Sequence, residues 1–236
     1  MGRDTNLKII VLISADAEWR VIQKLFPNAK YQVSPYGEWF YTDLKSSLHY
    51  PIMFFHGGWG KIAAAASTQY IIDRWMPNLI INLGTCGGFE DEIERGTIFL
   101  VDKTIVYDII EQMGNLEEHI AHYSTKINLD WLTEPYPHQV KPSLLVSGDR
   151  DLLVEEIPHL KSHYGAVAGD WESGAIAWVA QRNKIQILIL RGVTDLVGTS
   201  GGEAYNNLQM FEESAFVILS KLVEQLPDWI HAATHN

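Results

Sequence analysis

Three carboxylates are the candidate catalytic residues of this chain: Glu18, Glu172 and Asp195. Glu18 and Asp195 follow short apolar segments, and Glu172 stands at the start of a predicted helix. Ligands of open α/β sheets bind just beyond the carboxyl ends of the strands, where such polar residues collect. Carboxylates in that position can transfer protons to a reacting group or stabilise a developing positive charge.

Further polar residues follow the same apolar segments: Ser14, Asp16, Thr85, Ser147, Asp149, Arg191 and Thr194. Several of these positions also have a structural interpretation. Ser14 and Asp16 can cap a helix, and an aspartate after glycine, such as Asp149, is common in turns. Glu18 itself lies in a predicted first helical turn, where a carboxylate is favoured by the helix dipole.

The elements that must position these residues are predicted from apolar runs and helical spacing. Runs at 8–13, 39–41, 51–55, 79–83, 96–106, 144–147 and 185–190 predict strands, and residues 17–26, 61–75, 172–182 and 206–225 predict helices. Glycine-rich segments at 57–60 and 84–88 predict turns, and residues 108–142 carry no clear pattern. Alternating strands and helices without a linker predict a single α/β domain over residues 1–236.

Composition narrows the function classes. A net charge of −11 without a Lys/Arg run disfavours nucleic-acid binding. The single cysteine, Cys86, cannot form a disulfide within the chain, and no apolar run is long enough to span a membrane. We therefore expect a cytoplasmic, soluble protein. His119 and His122 lack a matching ligand pattern, so we expect no metal site there.

Six segments together resemble the nucleoside phosphorylase and nucleosidase superfamily, and most closely its 5′-methylthioadenosine/S-adenosylhomocysteine nucleosidases. They occur in the family's order and with its spacing. They are ISADAE (13–18), GGWGK (57–61), IINLGTCGG (80–88), VSGD (146–149), GDWES (169–173) and LRGVTD (190–195).

The resemblance implies a three-layer α/β/α sandwich with a central mixed β-sheet, usually a homodimer, acting on a small nucleoside without a metal or cofactor. It implies that Glu18 orients or deprotonates the attacking water and that Asp195 protonates the purine at N7. Glu172 would hydrogen-bond the ribose hydroxyls, with Trp171 packing on the sugar. The implied substrate-binding residues are Trp59, Thr85, Cys86, Gly87, Ser147, Asp151, Leu152, Asp170, Trp171 and Glu172.

The residues favour hydrolysis over phosphorolysis. Phosphorylases of this superfamily hold phosphate with arginines, whereas here Asn82 precedes the second glycine segment and Glu18 stands in the first loop. Asp195 suits a 6-amino purine such as adenine, because a protonated aspartate can donate to N7. Two alternatives stay open: a phosphate-dependent purine nucleoside phosphorylase and a non-catalytic nucleoside-binding member of the same fold.

Three departures from the family concern specificity. Asp151 stands where adenine nucleosidases usually place a phenylalanine that stacks on the base, and Trp59 replaces a smaller apolar residue near the 5′ substituent. Residues 108–128, which should border the 5′ pocket and a partner subunit, do not follow the usual pattern. We therefore expect base and 5′ specificities that differ from those of the standard enzyme.

Overall fold

The computed structural model describes residues 8–44 and 51–234. Their strands are β1 (Ile9–Ile13), β2 (Gln32–Val33), β3 (Glu38–Thr42), β4 (Ile52–His56), β5 (Leu79–Phe89), β6 (Ile98–Val106), β7 (Ser124–Lys126), β8 (Pro142–Ser147), β9 (Ala166–Asp170), β10 (Gln186–Gly198) and β11 (Gly201–Gly202). Their helices are α1 (Asp16–Leu25), α2 (Lys61–Trp75), α3 (Leu116–His122), α4 (Ile157–His159, continued by a π-helical turn over Leu160–Tyr164), α5 (Ser173–Arg182) and α6 (Leu208–Thr234). No helix in these residues is both long and apolar enough to cross a membrane.

All the strands belong to one mixed sheet. Its order is β11-β10-β6-β8-β9-β5-β1-β4-β3-β2, and β7 pairs with β6. Strand β5 also pairs with β10, so the strands β5, β10, β6, β8 and β9 form a closed ring. Parallel pairs place β1 between β4 and β5, whereas β10 runs antiparallel to β6. Because β5 continues to Phe89 beyond this pairing, the carboxyl end of β1 lies beside the middle of β5.

Strand β1 shows why the fold has three layers. All five of its residues are buried, as the nearly continuous apolar run predicts. Because successive side chains point to opposite faces, Val11 packs into a core with α1 and α6. Ile10 and Leu12 pack into a second core with α2 and α5. The prediction of a mixed sheet covered by helices on both faces is thus confirmed.

Two strands are longer than predicted. Residues 84–88 were expected to form a turn, but β5 continues through them to Phe89. Strand β10 likewise continues past Leu190 to Gly198, so Arg191 and Asp195 lie inside a strand. These extensions pair with each other along their length, which supplies the backbone hydrogen bonds that the glycine-rich sequence gave no reason to expect. The unassigned residues 108–142 contain α3 and β7, and α6 runs nine residues beyond the predicted end at 225.

Candidate active site

A cavity of about 650 Å³ opens along the carboxyl-terminal halves of β5 and β10, beside the carboxyl ends of β1 and β9. Most of the nominated residues line it: Glu18, Trp59, Thr85, Cys86, Gly87, Asp151, Leu152, Asp170, Trp171, Glu172 and Asp195. The elements thus bring together all three candidate catalytic carboxylates in a single cavity.

Glu18 is held in the cavity wall by the neighbouring strand. It lies in the first turn of α1, where it is only 4% exposed. Its Oε1 accepts hydrogen bonds from the Thr85 backbone N–H (2.6 Å) and from the Thr85 hydroxyl (2.8 Å). Burial raises the pKa of Glu18, and the charge of Arg191 and the Thr85 donors oppose that rise. Glu18 is therefore a buried carboxylate with a fixed orientation and a raised proton affinity.

Arg191 lies buried behind Glu18 and beside Asp170. Its Nε donates to Asp170 Oδ2 (3.0 Å), and its Nη2 donates to Asn82 Oδ1 (2.6 Å). Its charge lowers the proton affinity of Glu18 and Glu172, which would otherwise be unfavourable to ionise in this buried region. Sequence reasoning listed Arg191 as a polar residue after a strand but gave it no role. Asn82 was noted only because it stands where phosphorylases have an arginine. In the structure its side chain is a hydrogen-bond partner of the Arg191 guanidinium.

Ser147 differs in place from the other nominated residues. It is fully buried and is not among the residues that line the cavity. Its hydroxyl donates to Asp170 Oδ1 (2.6 Å) and accepts from the Gly174 N–H (2.8 Å). The expectation that Ser147 binds substrate is therefore corrected, because its hydrogen-bonding capacity is used beneath the site to hold Asp170.

Asp170 lines the cavity, but protein groups occupy its carboxylate. Besides Arg191 and Ser147, the backbone N–H and the hydroxyl of Ser173 donate to it. The carboxylate thereby accepts from the first turn of α5, where a negative charge is favoured. Asp170 is best described as a buried anchor for Arg191 and for the start of α5.

Glu172 immediately precedes α5 and is 8% exposed. Its Oε1 accepts a hydrogen bond from the Gly60 N–H (2.9 Å). Burial, followed by repulsion from Asp170, raises the pKa of Glu172 to about 8. A carboxyl group with this pKa exchanges its proton near neutral pH, and it can both donate to and accept from hydroxyl groups.

Asp195 lies at an irregularity in the pairing of β10. The register between β5 and β10 shifts between Val193 and Asp195, as in a β-bulge. Thr194 and Asp195 are both buried, and the Thr194 hydroxyl lies 2.7 Å from Asp195 Oδ1. Burial raises the pKa of Asp195, and the Thr194 bond opposes that rise. A raised pKa keeps more of this aspartate protonated near neutral pH, where it can act as a general acid.

Two indole rings lie at the mouth of the cavity. Trp59 and Trp171 have ring centroids 5.6 Å apart at an interplanar angle of 59°. Trp59 is 59% exposed, so most of its surface is open to a ligand or a partner. Cys86, on the cavity wall, is buried, and burial raises the pKa of its thiol well above the usual value. The thiol is thus a neutral lining group.

One wall of the cavity was not predicted. Residues 204–208 and Phe211, between β11 and the first turns of α6, contribute to it. The Tyr205 hydroxyl donates to the Leu152 carbonyl (2.8 Å), and burial with repulsion from Asp151 and Asp195 raises the pKa of Tyr205 to about 12. The sequence of this segment contains no motif that would have predicted its position.

No group of three or more His, Cys, Asp or Glu side chains suited to a metal ion occurs in residues 8–44 and 51–234. Of the histidine pair considered above, His119 lies 3.3 Å from Glu111, and the His122 ring packs against Trp178. Both contacts are with neighbouring surface groups.

The family model described as the Phosphorylase superfamily matches residues 9–226. The chain therefore belongs to the Phosphorylase superfamily, as the resemblance of its motifs indicated.

The names of its relatives within that superfamily are more specific. A 5′-methylthioadenosine/S-adenosylhomocysteine nucleosidase of Staphylococcus aureus is 28% identical over 198 residues, which are 79% of this chain and 85% of the relative. The protein of the same name from Tolumonas auensis is 23% identical over 188 residues, covering 74% of this chain and 82% of the relative.

Solved structures show the same fold. The apo 5′-methylthioadenosine nucleosidase of Arabidopsis thaliana superposes with a TM-score of 0.77 at 22% identity, covering 98% of this chain and 97% of its own. The enzyme of Neisseria meningitidis in complex with methylthio-immucillin-A gives a TM-score of 0.73 at 18% identity, covering 95% and 99%.

Proposed function

We propose that this chain hydrolyses the N-glycosidic bond of purine nucleosides of the 5′-methylthioadenosine and S-adenosylhomocysteine class. The observation that carries the proposal is the placement of Glu18 and Asp195, two buried carboxylates with raised pKa values, in the wall of one cavity. The names of the relatives supply the substrate class.

The reaction uses these two groups in opposite directions. Asp195, in its protonated form, gives its proton to N7 of the base while the electron pair of the C1′–N9 bond leaves with the base. Water forms the new bond to C1′ and gives a proton to the ionised Glu18. Positioned proton transfer of this kind typically contributes about 10²–10⁴-fold. The Thr85 donors fix the Glu18 oxygen, so the water it holds is also oriented.

Charge in the cavity favours water over phosphate as the nucleophile. Arg150 is the cationic side chain among the described lining residues, and its Nη2 donates to both carboxylate oxygens of Glu156 (2.6 and 2.7 Å). Arg191 is committed to Asp170 and Asn82, and Arg20 pairs with Glu212 on the surface. A phosphate dianion needs several uncommitted donors, whereas a water molecule needs an acceptor such as Glu18.

The base and the 5′ substituent are expected to be selected differently from the standard enzyme. Asp151 lines the cavity as an exposed carboxylate in a place where the family usually stacks a phenylalanine. Trp59 adds a large indole at the mouth. These two residues are the reason to expect altered specificity.

We also propose that the protein forms a homodimer and that it is located in the cytoplasm. The proposed location rests on the single cysteine. Four exposed apolar side chains support the dimer: Trp59, Ile62, Ile110 and Met113, which are 59%, 85%, 61% and 97% exposed. The ion pair between Lys61 and Asp108 brings their two segments together near the cavity mouth. Sedimentation should show a dimer, and Ile62→Glu should convert it to a monomer; a wild-type monomer would contradict this part.

A substrate panel tests the function. Methylthioadenosine, adenosylhomocysteine, adenosine, inosine and aminodeoxyfutalosine are incubated with the protein, with and without phosphate, and free base is measured by chromatography. We expect base release without phosphate and its loss in Glu18→Gln. Release only with phosphate would assign the chain to the phosphorylases, and no release with measurable ligand-induced thermal shifts would indicate a binding protein.

A further inference from the structure

We propose that Lys61, Asp108 and Asp149, here termed the clamp, are positioning residues that hold the Gly60 N–H against Glu172 and thereby strengthen the enzyme's grip on the ribose hydroxyls during the reaction. This inference rests on the proposed function, since Glu172 is the group assigned to the ribose. It assigns a role to three residues that lie outside the cavity wall.

The hydrogen bond to Glu172 comes from a residue in the left-handed backbone region. Gly60 precedes α2 and has φ of +84°, a conformation that suits glycine. Its N–H donates to Glu172 Oε1 at 2.9 Å, in a buried position. Among the described residues, the Gly60 N–H is the one group that donates a hydrogen bond to the Glu172 carboxylate. The orientation of Glu172 therefore depends on where this loop (residues 57–60) is held.

The clamp fixes the end of that loop. The Lys61 backbone N–H donates to Asp149 Oδ1 (2.7 Å), and the Lys61 ammonium forms an ion pair with Asp108. The Asp149 N–H in turn donates to Asp108 Oδ2 (2.9 Å). Three segments distant in sequence are therefore tied together immediately beside Gly60.

Burial and charge make the clamp sensitive to the loss of its cation. The side chains of Lys61 and Asp108 are only 19% and 14% exposed, and Asp149 Oδ2 lies 3.7 Å from the same ammonium. Without Lys61, the largely buried Asp108 carboxylate and the Asp149 carboxylate, which is 39% exposed, would face each other without a cation between them, and they would repel. The Asp149 carboxylate lies beside Gly60, 3.2 Å from the position that a Cβ would take there. It would then move and release the start of α2.

The clamp should therefore affect catalysis through one hydrogen bond, from the Gly60 N–H to Glu172. The clamp residues are not among the residues that line the cavity, so we expect their effect on the reaction to pass through Gly60 and Glu172. A change in the clamp shifts Gly60, which loosens Glu172, and the effect should be confined to substrates that carry the ribose hydroxyls.

The test compares substrates with and without those hydroxyls. The kcat/KM is measured for 5′-methylthioadenosine and for its 2′-deoxy and 3′-deoxy analogues, in wild type, Lys61→Met and Asp149→Ala. We expect the preference for the ribonucleoside over a deoxy analogue to fall about tenfold in both variants, the effect of weakening one buried hydrogen bond. The intrinsic reactivity of each nucleoside cancels when variant and wild type are compared.

Two controls sharpen the result. Lys161→Met removes a lysine of similar exposure (25%) that pairs with Glu92 away from the cavity, and it should leave the preference unchanged. Lys61→Arg keeps the cation and should restore most of the preference. Because each preference is a ratio measured on one preparation, it does not depend on the fraction of folded protein.

The outcomes separate the two proposals. If wild type releases base but Lys61→Met and Asp149→Ala keep the wild-type preference, the clamp has no such role and the proposed function stands. If the wild type releases no base from any nucleoside, the proposed function itself is wrong and the role of the clamp is lost with it.

Discussion

Replacing Thr85 by valine should weaken catalysis through Glu18. The Thr85 hydroxyl lies 2.8 Å from Glu18 Oε1, and the backbone N–H, which valine retains, lies 2.6 Å from the same oxygen. Valine has nearly the shape of threonine, so the change deletes one donor to a buried carboxylate. A hydrogen bond to a charged group contributes about 1.5–3 kcal/mol. Where the protonated form of Glu18 predominates, loss of that stabilisation from the ionised, working form lowers the rate by up to about 10–100-fold.

The direction of the pH dependence follows from the same bond. The hydroxyl lowers the pKa of Glu18, which burial has already raised, so its removal raises that pKa further. Glu18 must be ionised to accept a proton from water. The acid limb of the kcat/KM profile should therefore move to higher pH in Thr85→Val, and activity should partly recover as the pH increases.

The assay is adenine release from methylthioadenosine, followed from roughly pH 5 to roughly pH 9. Thr85→Ser keeps the hydroxyl and serves as the matched control, with an acid limb close to that of wild type. An acid limb that stays in place in Thr85→Val, or that moves equally in Thr85→Ser, would refute the assignment of Glu18 as the proton acceptor.

Three further predictions concern the other charged groups of the site. Asp195→Asn should lower kcat by about 10²–10⁴-fold in steady-state assays, since it removes the proton donor; a loss below about tenfold would contradict the role. Glu172→Gln should remove a pH dependence of the free energy of unfolding. The pKa of Glu172 is about 8 in the folded protein and 4.5 in the unfolded chain, so its protonation stabilises the wild type fully below pH 4.5, and this contribution is lost as the pH rises through 8. Urea unfolding should therefore show the variant to be more stable than wild type at alkaline pH, by a few kcal/mol at about 1.4 kcal/mol per pKa unit, and equal stability would contradict the assignment. Arg191→Met should cost about 3–5 kcal/mol in the same unfolding assay, because it leaves Asp170 buried without its cation, whereas a loss below about 1 kcal/mol would show that the ion pair is dispensable.

The sequence predicted the elements that have a strong local signal. The apolar run of β1 and the helix over Lys61–Trp75 were predicted nearly to the residue, because burial on both faces and an uninterrupted helical composition leave few alternatives. Glu18, Glu172 and Asp195 were nominated by their place after strands or before a helix, and the structure brings them into one cavity.

The remaining features depend on pairing between distant segments. Residues 84–88 look like a turn in isolation, and they form a strand because β10 supplies their partner. The bulge beside Asp195 arises from that pairing as well. The contacts of Tyr205 and of the clamp could not be predicted, since both join segments more than 40 residues apart.

The identity of the sugar product tests the central claim most directly. Methylthioadenosine is incubated with the protein in phosphate buffer, and the products are separated by mass spectrometry. The account predicts adenine and free methylthioribose, with no sugar phosphate, and no product from Glu18→Gln. Methylthioribose 1-phosphate as the main product would contradict it and would mean that phosphate, not a water molecule held by Glu18, attacks C1′.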